Sequence, residues 1–365
     1  MSAVARKRKR RVLIISDGKR GHVHQTEGIV SRMTNVVAKK AEVRMGKAYC
    51  FFLVFVAILS RLMPISRAVL WLFLSRAVRA SLPALVKFSP DLIISAGSLT
   101  HPVTYLLGRI WNARTVVCMR PSLLSASDFD LVVAPRHDQH RCGADNVIFT
   151  MGATSTITEG HIFAEGVALY SRLKGRVTRP LGLLVGGDSA CNFLDVHTAK
   201  EIINETLLAC EENGLTLLCC SSRRTPPAVE TLMLEALEDN PLCAYLLLAS
   251  RSPENPVPGI IGLSEVVVCT EDSVSMVSEI ITGGRSAVVV ETGKRRKDNK
   301  FERFFRELVS EDYIIYTKPE FLSRAVAEAF EGKKGGAKPV DETKRVAMEI
   351  ERRLFAADGG TGVRH

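Results

Sequence analysis

Residues 266–279 read VVVCTEDSVSMVSE, a β-branched run that passes directly into a cluster of hydroxyls and carboxylates. Val266, Val267 and Val268 suit a strand covered on both faces of a parallel sheet. Asp272, Ser273 and Ser275 then fall where a helix would begin, and the first N–H groups of a helix have no acceptor within it. A phosphate placed there meets those amides and the positive end of the helix dipole. Glu279 comes one turn after Ser275, so its carboxylate could accept hydrogen bonds from the paired hydroxyls of a ribose. A helix that is merely capped would use the same residues, and both readings stay open at this level.

Three further clusters belong with it. Residues 16–22, SDGKRGH, follow an apolar run and lead into a helical pattern. Gly18 and Gly21 let the backbone approach a ligand, Lys19 and Arg20 bring positive charge, and Asp17 and His22 are the groups able to take a proton near neutral pH. A histidine at a helix start can equally serve a backbone hydrogen bond. In LLVGGDS, residues 183–189, Gly186 and Gly187 could admit a pyrophosphate while Asp188 or Ser189 caps the next helix, or the four could form only a tight turn. In SSRRTP, residues 221–226, Arg223 or Arg224 could grip a phosphate through paired N–H groups, or both could be surface arginines. Each cluster ends an expected parallel strand, where open α/β sheets bind ligands. The spacings GxxxxGK[ST] and GxGxxG are absent, which argues against a P-loop ATPase and a dinucleotide enzyme.

The elements that position these clusters alternate strand and helix. Residues 11–16 form a first strand and 26–37 a helix; 91–97, 115–119 and 129–135 are strands, with a helix over 98–110. Beyond an irregular stretch the rhythm resumes, with strands at 183–185, 215–222, 245–249, 266–269 and 286–291, helices at 197–212 and 227–238, and another helix from Ser273. A charged helix is expected over 341–355. The reading is α/β: two doubly wound, Rossmann-like domains. Residues 1–11 are a polybasic arm, 12–155 an N-terminal Rossmann-like domain, 156–180 a linker, 181–335 a C-terminal Rossmann-like domain, and 336–365 a helix and mobile tail.

Charge is uneven. The chain carries +10, but residues 1–90 hold 18 Lys/Arg against 3 Asp/Glu, or +15, which leaves 31 minus 36, or −5, for the remainder. That asymmetry points to an anionic surface. The aromatic residues of the basic region sit inside apolar runs instead of alternating with Lys and Arg, so no nucleic acid is expected and a lipid surface fits better. The runs YCFFLVFVAILS at 49–60 and AVLWLFL at 68–74 are each too short to cross a bilayer, which takes about 20 residues. With Arg61, Arg67, Arg76, Arg79 and Lys87 around them, the segment 49–79 reads as helices lying in the membrane interface, or alternatively as a buried core hairpin. The nine cysteines show no CxxC pair and no repeating spacing with histidine, so neither zinc nor a disulfide framework is indicated, and reduced thiols imply a cytoplasmic compartment.

Taken in order, SDGKRGHVHQTEGI, FDLVVAPRHD, NVIFTMGATSTIT, LLVGGDS, SSRRTPP and CTEDSVSMVSE resemble the elongated-mitochondria family of mitochondrial fission, whose bacterial members are usually called glycosyltransferases. More distantly the chain is similar to the lipid-linked N-acetylglucosaminyltransferase of peptidoglycan synthesis, a GT-B enzyme, which implies a GT-B arrangement of the two Rossmann-like domains with an interdomain cleft, 12–155 as acceptor domain and 181–335 as nucleotide-donor domain. That resemblance implies a UDP-sugar donor, held by Val274, Ser275 and Met276 with Glu279 on the ribose, and His22 on the acceptor side. It implies a membrane-associated, lipid-linked acceptor at the inner face of the membrane, and no metal or cofactor. Two departures stand out: Asp17, Lys19 and Arg20 replace glycines of the first loop, and paired glutamines of the relative give way near Asn299 and Lys300. The family resemblance also implies an alternative, a non-catalytic membrane adaptor.

Overall fold

The computed structural model describes residues 8–63, 65–75, 88–136, 144–152, 154–295, 300–332 and 341–356. They form two compact units, one from residues 1–156 with 342–365 and one from Ile157–Asp341. The first unit contains β1 (Arg10–Ser16), α1 (Arg20–Arg32), β2 (Val36–Glu42), α2 (Lys47–Leu62), α3 (Arg67–Ser75), β3 (Leu92–Ala96), α4 (His101–Trp111), β4 (Arg114–Cys118), β5 (Leu131–Pro135) and β6 (Val147–Thr150). The second contains α5 (Glu159–Leu173), β7 (Pro180–Leu184), β8 (Asn192–Phe193), α6 (Val196–Asn213), β9 (Thr216–Cys220), α7 (Pro227–Leu237), β10 (Cys243–Leu247), α8 (Val257–Leu263) and β11 (Val266–Thr270). It continues through α9 (Val274–Thr282), β12 (Ser286–Val290), β13 (Gly293–Lys294), α10 (Lys300–Ser310), β14 (Ile314–Thr317) and α11 (Leu322–Phe330). A last helix, α12 (Glu342–Phe355), returns to the first unit.

Each unit is built on a sheet of six described strands, ordered β2-β1-β3-β4-β5-β6 and β10-β9-β7-β11-β12-β14, with every neighbouring pair parallel. The second order, written with the unit's own six strands, is the doubly wound 3-2-1-4-5-6. Parallel strands need crossover helices, which cover both faces and demand strands that are apolar throughout. Val266–Thr270 and Leu92–Ala96 are buried at every residue. One apolar layer of the second unit gathers Ile202, Met233 and Val326 from α6, α7 and α11; the other gathers Leu169, Ile260, Val277 and Phe304 from α5, α8, α9 and α10. Strand order reverses direction between β7 and β11, and in the first unit between β1 and β3, so each unit has a crevice at the carboxyl ends of its strands.

Two sequence expectations change, over 26–37 and over 156–180, and the structure adds to two others. The helix expected over 26–37 begins earlier and ends at Arg32; Asn35, at φ 54°, turns the chain into β2. β2 is an edge strand with Lys39 and Lys40 exposed, a charged edge that discourages further pairing. The stretch 156–180, expected to be irregular, carries α5, whose Thr158 side chain accepts from His161 N at 2.9 Å. Gly166 of α5 approaches so closely that a Cβ there would lie 2.9 Å from the backbone of Gly262 in α8. Finally, α12 docks rather than trailing: Val346, Ala347 and Ile350 join the core beside Ile29 and Val30 of α1, and Glu351 accepts from Thr34 N at 2.8 Å. Residues 1–7, 333–340 and 357–365 lie outside the described residues.

Candidate functional site

At the crevice of the second unit, three strand-end loops are tied together. Val185 follows β7, Ser221 follows β9, and Glu271 follows β11. The Asp272 side chain is fully buried and accepts from Gly187 N (3.0 Å), from Thr270 Oγ1 (2.7 Å) and from the Arg224 guanidinium (2.7 Å). Gly186 N donates to Thr270 Oγ1 at 2.7 Å, and Asp188 N to the Arg224 carbonyl at 3.0 Å. The glycine pair is therefore required by protein packing: a Cβ on Gly186 would fall 2.1 Å from an Asp272 oxygen, and one on Gly187 2.0 Å from the Arg224 carbonyl. Burial raises the Asp272 carboxyl above its ordinary value, and Arg224 opposes that rise.

Several side chains take roles other than those expected. Asp188 pairs with Arg295 and accepts from Leu194 N, and Ser189 accepts from Asn192 N, so neither caps α6. Asp195 is the cap, accepting from Thr198 N at 2.9 Å. Asp272 does not cap α9, and Ser273, at its N-cap, makes no capping hydrogen bond; its hydroxyl lies 3.4 Å from that of Ser275. Val274 and Met276 are partly buried and pack against the apolar layer below. Glu279 makes no hydrogen bond or ion pair among the described residues, and burial alone pushes its carboxyl up to about 8.

Glu271 was not foreseen as a candidate. It is 2% exposed and accepts from Asn192 Nδ2 and Thr292 N, each at 2.9 Å, and from the Tyr316 hydroxyl. It fastens the short antiparallel pair β8–β13 over the sheet. The only sequence signal was a carboxylate directly before Asp272. Arg223 is exposed and has no partner among the described residues; residues 296–299, including Asn299, and the side chain of Lys300 are outside the description.

In the first unit, the loop after β1 brings Asp17 and His22 together. His22 Nδ1 lies 3.0 and 3.1 Å from the two oxygens of Asp17, whose side chain is 6% exposed. An ionised carboxylate can only accept, so Nδ1 carries the proton and Nε2 is left as the basic nitrogen. Lys19 supports the same carboxylate, its N–H at 3.2 Å and its ammonium at 3.6 Å. Gly18 turns the chain at φ 77°, and nothing lies within 4 Å of a Cβ built on Gly21. Arg20 opens α1, its side chain outside the description. Gly97, after β3 and at φ 90°, seats the ring: a methyl there would lie 2.5 Å from His22 Cε1. His101 stands behind, 1% exposed and pushed down to about 4 by burial. Neither of its ring nitrogens completes a hydrogen bond, and the Cys118 carbonyl offsets the burial only in part.

The sequence profile described as Mitochondrial fission ELM1 matches residues 20–354. The chain belongs to the ELM1 family. A curated relative, the mitochondrial fission protein ELM1 of Arabidopsis thaliana, is 23% identical over 303 residues, covering 74% of this chain and 65% of the relative. The match thus spans less than two thirds of that protein's length. Solved structures share the fold over nearly the whole chain. A glycosyltransferase from Rickettsia africae aligns with TM-score 0.55 at 10% identity, covering 95% of this chain and 99% of its own. HepE of Anabaena, solved with UDP and glucose, gives 0.52 at 12%, covering 96% and 99%. MurG of Acinetobacter baumannii gives 0.50 at 13%, covering 94% and 100%. This ELM1-family chain is therefore an α/β protein of the GT-B class with two Rossmann-like domains.

The segment expected at 49–79, where described, has one side buried in the core and one apolar side exposed. One side of α2 enters the core through Leu53, Val56 and Ala57. The other side bares Phe51 (59% exposed), Phe55 (62%) and Leu62 (81%), with Leu72 of α3 (69%) also exposed. Arg61 is exposed but engaged within the fold: it pairs with Asp128, and its guanidinium lies 5.9 Å from the Tyr105 ring centroid. Lys47 and Arg67 are exposed, and Arg76, Arg79 and Lys87 lie outside the description. No helix of the described residues is long and apolar enough to cross a membrane.

Proposed function

We propose that this ELM1-family chain transfers a sugar from a nucleotide diphosphate, a UDP-sugar by preference, to a membrane-associated, lipid-linked acceptor. Glu279 carries the reading. The Glu279 carboxyl is part-buried, has no hydrogen-bond or ion-pair partner among the described residues, and is strongly desolvated, so paired ribose hydroxyls would supply donors that the protein does not. The uncapped first turn of α9 offers amides to the diphosphate, at the point where strand order reverses. HepE, of like fold, was solved with UDP and glucose, which favours the same class of ligand.

On the acceptor side, Asp17 holds the His22 imidazole, and Nε2 takes the proton as the acceptor oxygen attacks the anomeric carbon. The bond from that carbon to the diphosphate oxygen breaks, and the diphosphate leaves with the electron pair. The exposed side of α2 and α3 supports placing the chain on a lipid surface, as a peripheral protein of the inner membrane face. A second reading, a non-catalytic membrane adaptor, is favoured by the name of the family and needs only that apolar side.

A thermal-shift panel of nucleotide sugars on wild type and Glu279→Ala decides between them. UDP-sugars that raise the melting temperature of wild type but not of the variant support transfer; a panel in which no nucleotide sugar stabilises wild type ends the donor reading.

A further inference from the structure

We propose that the adjacent arginines Arg223 and Arg224 divide the work of the donor crevice: Arg224 is clasped by Asp272 to fix the three loops, and Arg223 contacts the nucleotide diphosphate. The proposal rests on the donor reading above and adds which cation meets the phosphates. In sequence the two are indistinguishable, both in the loop after β9 and both able to grip an anion.

Their surroundings separate them. The Arg224 guanidinium is 2.7 Å from an Asp272 oxygen whose side chain has no exposure at all. Its carbonyl accepts from Asp188 N at 3.0 Å and lies where a Gly187 side chain would have to be. Its amide donates to Ser222 Oγ at 3.2 Å. Removing the guanidinium leaves Asp272 buried without its cation, a costly state, so Arg224 is not free to leave for a ligand. Asp272 acts through Arg224 and Gly187 and is a positioning residue.

Arg223 is held by none of this. It is exposed and unpaired among the described residues, in the loop after β9, the strand next to β7, and so beside the crevice. Other cations nearby are engaged: Arg295 with Asp188, and Lys294 with Glu302 at 3.0 Å. A guanidinium without a carboxylate partner loses least when a phosphate arrives, and it can present two parallel N–H groups.

The test is calorimetric titration of the full chain with UDP and with uridine, which differ only in the diphosphate. Arg223→Gln should weaken UDP by about 10- to 100-fold, the size of a charge-assisted contact, leaving uridine affinity and melting temperature unchanged. Arg224→Gln and Asp272→Asn should weaken UDP and uridine alike and lower the melting temperature, and the double variant should lose less than the two single losses combined, the mark of a coupled pair. An unchanged ratio of UDP to uridine affinity in Arg223→Gln, with wild type binding both, overturns this division and leaves the donor reading standing. A change of that ratio in Arg224→Gln alone also overturns it. Wild type binding neither compound overturns both.

Discussion

Glu279 sits in the fold with part of its surface open, yet burial alone drives its carboxyl to about 8. In the unfolded chain a glutamate ionises near pH 4.3. The folded group therefore stays protonated where the unfolded one has lost its proton. Its stabilising preference for the fold is fully present below about pH 4.3 and is lost as pH rises through about 8. Glu279→Gln keeps the neutral form at every pH, so the variant should melt increasingly above wild type from about pH 5 to pH 8, with the gain levelling beyond. Melting curves across that range check it; a gain that shrinks as pH rises contradicts the assignment. A ribose that needs the ionised carboxylate would bind with loss of a proton, so UDP affinity should rise toward pH 8 in wild type and stay flat in Glu279→Gln.

At the scale of elements, the loop after β7 shows what glycines do here. Gly187→Ala places a methyl 2.0 Å from the Arg224 carbonyl, a backbone atom that cannot swing aside. The substitution should cost about 1–3 kcal/mol, read as a lower melting temperature and weaker UDP binding together. The sequence announced that these glycines allow a close approach, but not that the approaching group is protein. Strands such as Val266–Thr270 were legible because both faces are covered and every residue must be apolar. β2 was not, since an edge strand carrying two lysines has no such pattern. α5 was missed because its packing on α8 relies on Gly166 and Gly262, residues that usually argue against helix. At the site, Asp17 with His22 was legible as a short-range loop, whereas the contacts of Glu271 with Asn192 and Tyr316 join residues 79 and 45 positions apart. Nothing local encodes such contacts.

Across the whole molecule, apolar surface and charge act together. Phe51, Phe55 and Leu62 project from one side of α2, and residues 1–90 carry +15 by the count above. Binding to anionic vesicles should need both. Replacing all three residues with serine should abolish sedimentation with phosphatidylserine vesicles while leaving the melting temperature nearly unchanged, because exposed positions contribute little to stability. Raising salt from 0.1 to 0.5 M should weaken, without abolishing, the binding of wild type. Retained vesicle binding in the triple variant would remove α2 from the membrane account.

The return of α12 sets an order of assembly. The second unit is a guest, contiguous in the chain, inserted into a host that is completed by a helix lying after the guest in sequence. On the ribosome the guest can complete its sheet as soon as Asp341 has emerged, whereas the host, though begun first, must wait with Ile29 and Val30 uncovered until Val346, Ala347 and Ile350 arrive. The host begins before the guest and closes after it.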